Sequence, residues 1–131
     1  MKKTIIGIIT AFILYDTLII YDILFGTHTA PLLLNIDFLT HRPHVHILLE
    51  FALHTFISLV VAWTAGSFYE RGRSLRPFMI GLFLFFIILF PLMVMIAESP
   101  VYIISLKEFS GWMIGHTLYL LALSFLIRRG L

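Results

Sequence analysis

Apolar residues fill four long stretches of the chain, and short segments with charged residues, prolines and glycines separate them. An α-helix that rises about 1.5 Å per residue needs about 20 apolar residues to cross the ~30 Å hydrocarbon core of a bilayer. The pattern therefore predicts spanning helices over residues 4–25, 43–68, 77–98 and 106–128. The predicted fold is an all-α integral membrane four-helix bundle, with residues 1–131 forming a single transmembrane domain.

Local signals mark the ends of these helices. Pro43 suits the first turn of the second helix, because proline has no N–H group to leave unpaired there. Ser105 and Glu108, three residues apart, fit a capping box at the start of the fourth helix. Pro91 lies inside the third helix and removes one backbone hydrogen bond, so that helix is predicted to kink at this proline.

The composition agrees with a membrane protein, since 60% of the residues are hydrophobic, 12% are charged and the mean hydropathy is +1.03. The sequence contains no cysteine, which excludes disulfides, thiolate metal sites and cysteine nucleophiles. A metal ion would therefore be bound by imidazole and carboxylate groups. The sequence has no phosphate-binding loop or nucleic-acid motif, so the predicted partner is the lipid bilayer and not nucleic acid.

The basic residues are distributed unequally between the two ends of the predicted bundle. Of the nine Lys and Arg residues, seven fall at the end with both termini and the second connection, and two fall at the other end. Cytoplasmic segments are enriched in Lys and Arg, so both termini are predicted to lie in the cytoplasm of a multi-pass cell-membrane protein. All six histidines and six of the seven acidic residues then fall in the outer half.

Three ionisable residues from different predicted helices lie near one depth in the membrane: Asp16, His54 and His116. Glu50 and His46 precede His54 by one and two helical turns. A charged side chain near the bilayer centre costs roughly 2.5–3.5 kcal/mol or more, so these residues are predicted to face the interior of the bundle. Imidazole and carboxylate groups suit zinc, iron or manganese. The predicted metal ligands are His54, His116, Asp16, Glu50 and His46.

The same residues fit several functions. A metal ion with one open coordination position would make the protein an enzyme or a sensor, with Glu50 as the candidate general base. A proton- or metal-coupled transporter or channel uses the same residue types, although few polar residues continue the path inward from His54 and His116. A b-type haem between those two histidines is a further alternative. A non-catalytic accessory or immunity-type subunit would use these side chains only for hydrogen bonds between helices.

The predicted bundle does not assign a packing partner to two apolar segments of the chain. Residues 31–39, in the first connection, are apolar enough to lie along the membrane surface or to fold over the mouth of the bundle. Residues 83–90 carry no polar side-chain atom, which predicts that the third helix faces lipid or another subunit. The expected assembly is a homo-oligomer or a larger membrane complex.

Overall fold

The computed structural model describes residues 1–41 and 46–130, and all regular secondary structure in them is helical. The helices, in chain order, are α1 (Lys2–Phe25), α2 (Thr29–Leu34), α3 (Asp37–Thr40), α4 (Ile47–Glu70), α5 (Leu75–Ile96) and α6 (Leu106–Arg129). Four of them, α1, α4, α5 and α6, are long and apolar enough to cross a membrane. The structure thus confirms the all-α fold and the four helices of spanning length predicted from the sequence.

Caps are present at the end of α1 and at the start of α6, and the sequence predicts the second of them. Gly26 ends α1 with a φ of 66°, a left-handed conformation that glycine adopts without strain. At the start of α6 the Ser105 hydroxyl accepts the backbone N–H of Glu108 at 3.1 Å, which is one half of the expected capping box. Helix α5 runs through Pro91 without interruption, and the kink stays a prediction.

Helix α4 is capped by a histidine. Nδ1 of His46 accepts the backbone N–H of Leu48 at 3.2 Å, so α4 begins at the next residue, Ile47. The start predicted at Pro43 lies outside the described residues, as do Arg42 and His44.

Helix α1 packs along both α4 and α6, whereas α5 packs mainly against α6. Glycines permit this close packing: a Cβ added to Gly7 would lie 2.9 Å from the Cα of Leu59 in α4. A Cβ on Gly115 of α6 would lie 2.5 Å from Cδ2 of Leu18 in α1. Helices α4 and α5 touch over a much shorter length, which leaves a seam between them.

The connection from α1 to α4 folds over one end of the bundle, and residues 27–41 of this connection are called the cap. Asp22 fixes it to α1, because its carboxylate accepts the backbone N–H groups of Thr29 at 2.9 Å and Ala30 at 2.8 Å. Glu108 of α6 accepts the N–H of His28 at 3.1 and 3.2 Å. Of the two positions predicted for residues 31–39, these contacts favour the mouth of the bundle.

A second set of contacts fixes the cap to the end of α5. Asp37 accepts the backbone N–H groups of Glu98 and Ser99 at 3.2 and 3.3 Å. Nδ1 of His41 lies 2.7 Å from a carboxylate oxygen of Glu98. The Asp37 carboxylate thus binds backbone amides, and the Glu98 carboxylate pairs with His41.

The opposite end of the bundle holds both termini. Nζ of Lys3 donates to the Glu70 carboxylate at 2.6 Å, and Nζ of Lys2 donates to the backbone oxygen of Gly130 at 3.1 Å. The start of α1 therefore lies beside the ends of α4 and α6, as in a bundle whose long helices alternate in direction. Basic residues that the sequence assigned to one end do lie together there.

Candidate functional site

A cavity of about 400 Å³ lies between α4 and α5, where these helices separate, and the cap closes one end of it. Helix α6 forms its inner wall, and most lining side chains are apolar. This volume is within the range of small-molecule sites, which are about 300–1,000 Å³ and mainly apolar with a few polar groups. The polar and ionisable lining residues are Asn35, Glu50, His54, Ser58, His116 and Tyr119.

The cavity opens through the side of the bundle. Several lining residues are also exposed on the outer surface: Phe56 and Ile57 of α4 are each 61% exposed, Phe85 of α5 is 52% exposed and Leu39 of the cap is 66% exposed. This rim is apolar. In a membrane it would face hydrocarbon, so an apolar molecule dissolved in the bilayer would enter without crossing water.

His116 is held rigidly in the inner wall. Its ring lies between the rings of Phe86 and Trp112, with a centroid distance of 4.3 Å to each, and the residue is 1% exposed. Nδ1 lies 2.7 Å from the backbone oxygen of Trp112, which can only accept a hydrogen bond. Nδ1 therefore carries the proton of the neutral ring, and Nε2 carries the lone pair.

His54 faces the same cavity from α4 and is 8% exposed. Its Nε2 is buried and has no hydrogen-bond partner within residues 1–41 and 46–130. The ring also lies near the backbone of Ala11 in α1. His54 and His116 are close enough to interact electrostatically. Since buried polar atoms are nearly always paired, the free Nε2 is open to a hydrogen-bond partner inside the cavity.

Ser58 and Tyr119 add two hydroxyl groups to the lining. Ser58 Oγ donates to the backbone oxygen of Gly7 at 2.9 Å, and it lies 3.2 Å from Oγ1 of Thr10 and 3.3 Å from the hydroxyl of Tyr119. These contacts join α1, α4 and α6 and fix the position of the wall. From the sequence, Ser58 was considered only as one of the few polar residues of an inward path, and Tyr119 was missed. Ser58 follows His54 by four positions and Tyr119 follows His116 by three, spacings that share a helix face.

Glu50 is half-buried at the cap end of the cavity. It also lines a second, smaller cavity with Asp22 and Tyr102. Burial, followed by the nearby carboxylates of Asp37 and Glu50, raises the pKa of the Tyr102 phenol above its ordinary value. The Glu50 carboxylate thus lies at the closed, cap end of the histidine cavity and away from its side opening.

Asp16 and His46 do not face the cavity. Asp16 is exposed on α1, so the prediction that it faces the interior is wrong. Positions two residues apart on a helix lie about 200° apart around its axis, so the inward direction of Leu14 turns Asp16 outward. His46 is exposed and caps α4. In the described part of the chain, no three His, Cys, Asp or Glu side chains are grouped to hold a metal ion.

Comparisons with models of known protein families, with curated proteins and with solved structures find no match for this chain. The function is therefore inferred from the residues around the histidine cavity.

Proposed function

We propose that this protein binds an amphiphilic molecule from the membrane, with an apolar body and a head group that donates a hydrogen bond. The observation that supports this is the buried, unpaired Nε2 of His54 in a cavity with otherwise mostly apolar walls. An unpaired buried polar atom costs roughly 1–3 kcal/mol, which a ligand hydroxyl would recover. Nε2 of His116 offers a second acceptor, and the single hydroxyl proton would be donated to one imidazole at a time.

The walls suit a hydrocarbon body. Leu53 and Ile57 of α4 face the cavity opposite Leu82 and Leu89 of α5, and Phe86 lies between them and His116. The side opening connects this space to the hydrocarbon that surrounds the bundle. A long-chain alcohol or an alkylphenol has a hydrocarbon part that fits the apolar walls and a hydroxyl that fits the imidazoles.

We further propose that the protein lies in the cell membrane with both termini in the cytoplasm and the cap outside. The basic residues at the terminal end support this orientation. The chain has no cysteine, so single cysteines can report it. Arg73→Cys should react with a membrane-impermeant maleimide only after cells are opened, whereas Val101→Cys should react with it in intact cells. The reverse pattern would overturn the orientation.

A photo-crosslinking experiment tests the ligand class. The probe is hexadecanol with a diazirine in its chain, added to the protein in phosphatidylcholine nanodiscs, and the matched control probe is the diazirine-bearing hexadecane. We expect the alcohol to label cavity residues, mapped by mass spectrometry, and the alkane to label them less. His54→Leu should lower alcohol labelling about fivefold, which corresponds to the loss of ~1 kcal/mol. Thr64→Ala, at an exposed position of α4, should leave it unchanged.

Two results would overturn this proposal. Labelling spread evenly over the exposed apolar faces would mean that the probe only dissolves in the surrounding lipid. Equal labelling by alcohol and alkane would mean that the imidazoles do not bind a head group.

A transition-metal ion is the second candidate, because the same unpaired Nε2 of His54 is also a metal ligand. His116 would provide the second nitrogen, and water or a bound ligand would take the remaining positions. The role of Glu50 as a general base stays a prediction. Elemental analysis for zinc, iron and manganese tests this candidate, and the visible spectrum of the same sample tests b-type haem. Stoichiometric metal that His54→Leu removes would favour the ion over the alcohol.

A further inference from the structure

Helix α1 carries a stripe of exposed residues on its outer side, and one of them, Phe12, also touches the Phe51 ring of α4 at a centroid distance of 5.0 Å. Its members follow one another at three- and four-residue steps and therefore share one helix face: Ile5, Ile9, Phe12, Asp16, Ile20 and Ile23. The five apolar members are between 41% and 77% exposed. Asp16 is the single ionisable residue of this stripe, and it is exposed as well.

The position of Asp16 along α1 places it well inside the membrane. It lies 14 residues after Lys2 and nine before Phe25, which is roughly 21 Å and 14 Å along the helix axis. Within residues 1–41 and 46–130, its carboxylate has no hydrogen-bond or ion-pair partner. Asp22 on the same helix, by contrast, accepts hydrogen bonds from the cap. A lone carboxylate among lipid tails is unfavourable enough to require a partner.

The described part of a second copy does not offer a matching cation. Within residues 1–41 and 46–130, every Lys and Arg lies in a connection, at a terminus or within the first or last turn of a long helix: Lys2, Lys3, Arg71, Arg73, Arg76, Lys107, Arg128 and Arg129. Arg42, outside the described residues, precedes α4 by five positions in the sequence. We infer that the Asp16 stripe binds a transmembrane helix of a different protein, which carries a Lys or Arg at the depth of Asp16. Of the two assemblies predicted from the sequence, this favours the larger complex. The inference does not depend on the histidine cavity.

The test measures association with designed helices. The probe is a synthetic polyleucine transmembrane helix with one lysine at the depth of Asp16, and the controls carry leucine there or a lysine one turn nearer the cap. Energy transfer in phosphatidylcholine vesicles reports binding to the fluorescently labelled full chain. We expect at least about tenfold tighter binding of the matched helix than of either control, or ~1.4 kcal/mol. Asp16→Asn, nearly identical in shape, should remove the preference.

Moving the charge sharpens the test. In the double variant Asp16→Ile with Ile20→Asp, the carboxylate shifts one turn toward the cap along the same exposed stripe. The preferred probe should then be the helix whose lysine is also shifted. Ile9→Leu, which keeps the stripe apolar, should bind like the unmodified chain. Circular dichroism and gel filtration establish that each variant is folded.

Three outcomes would overturn the inference. Equal binding of all probes would show that the carboxylate does not select a partner. A preference that survives Asp16→Asn would place the recognition elsewhere. Energy transfer between two labelled copies, lost in Asp16→Asn, would make the occupant a second copy of this chain.

Discussion

The hydroxyl groups of Ser58 and Tyr119 lie 3.3 Å apart and connect α4 to α6 in the wall of the histidine cavity. Ser58 also donates to the backbone oxygen of Gly7, so one side chain joins three helices. Ser58→Ala removes these contacts, and we expect it to lower the free energy of unfolding by about 0.6–2 kcal/mol. Steric trapping in bicelles measures this quantity.

Thr64→Ala provides the matched control, because Thr64 is exposed and, among the described residues, its hydroxyl bonds only to the backbone oxygen of Val60 in its own helix, at 2.8 Å. It should change the free energy of unfolding by less than about 0.5 kcal/mol. Similar losses in both variants would show that Ser58 contributes no bond between helices.

The two histidines His116 and His46 should adopt opposite neutral tautomers. Nδ1 of His116 donates to the Trp112 carbonyl, whereas Nδ1 of His46 accepts the Leu48 N–H. Nitrogen-15 NMR of histidine-labelled protein should therefore show a proton on Nδ1 of His116 and on Nε2 of His46. A proton on Nε2 of His116 would contradict the geometry, and it would leave one lone pair rather than two in the cavity.

The crossing of α1 and α4 should be intolerant of any side chain at Gly7. An added Cβ meets the backbone Cα of Leu59 at 2.9 Å, and backbone cannot rotate away, so Gly7→Ala should cost about 1–3 kcal/mol of stability. Gly81→Ala in α5 is the control, since a Cβ on Gly81 would have no neighbouring atom within 4 Å. That change should be neutral or should stabilise by roughly 0.5–1 kcal/mol. Thermal unfolding in one detergent ranks the two, and an equal effect would contradict the close crossing.

Hydropathy predicts the four long helices because the thickness of a bilayer sets their minimum length, and no other apolar segment of the chain is that long. It also predicts the depth of a residue, which is why His54 and His116 were expected at one level and do line one cavity. Depth is only one coordinate. Rotation about the helix axis depends on which neighbours pack against the helix, and hydropathy did not distinguish the sides of α1, so Asp16 was assigned to the wrong face.

The roles of Asp22 and Glu108 could not be read from the sequence for a different reason. Their partners are backbone N–H groups of the cap, and every residue except proline has one. No sequence pattern identifies which amide a carboxylate will meet until the path of the connection is known. Only the folded structure shows that these two carboxylates hold the cap over the cavity.

Asp22 is the residue whose change should open the cap. Asp22→Asn weakens acceptance of the Thr29 and Ala30 N–H groups, and bonds to charged acceptors contribute about 1.5–3 kcal/mol each. Hydrogen exchange at residues 29 and 30 should become at least about tenfold faster, as measured by mass spectrometry. Asp16→Asn, on the same helix but without a partner among the described residues, should leave cap exchange unchanged.

Asp22→Asn should also lower alcohol labelling in the cavity, because Leu34 and Asn35 of the cap line it. Unchanged exchange and unchanged labelling would show that the cap is held by its apolar contacts alone.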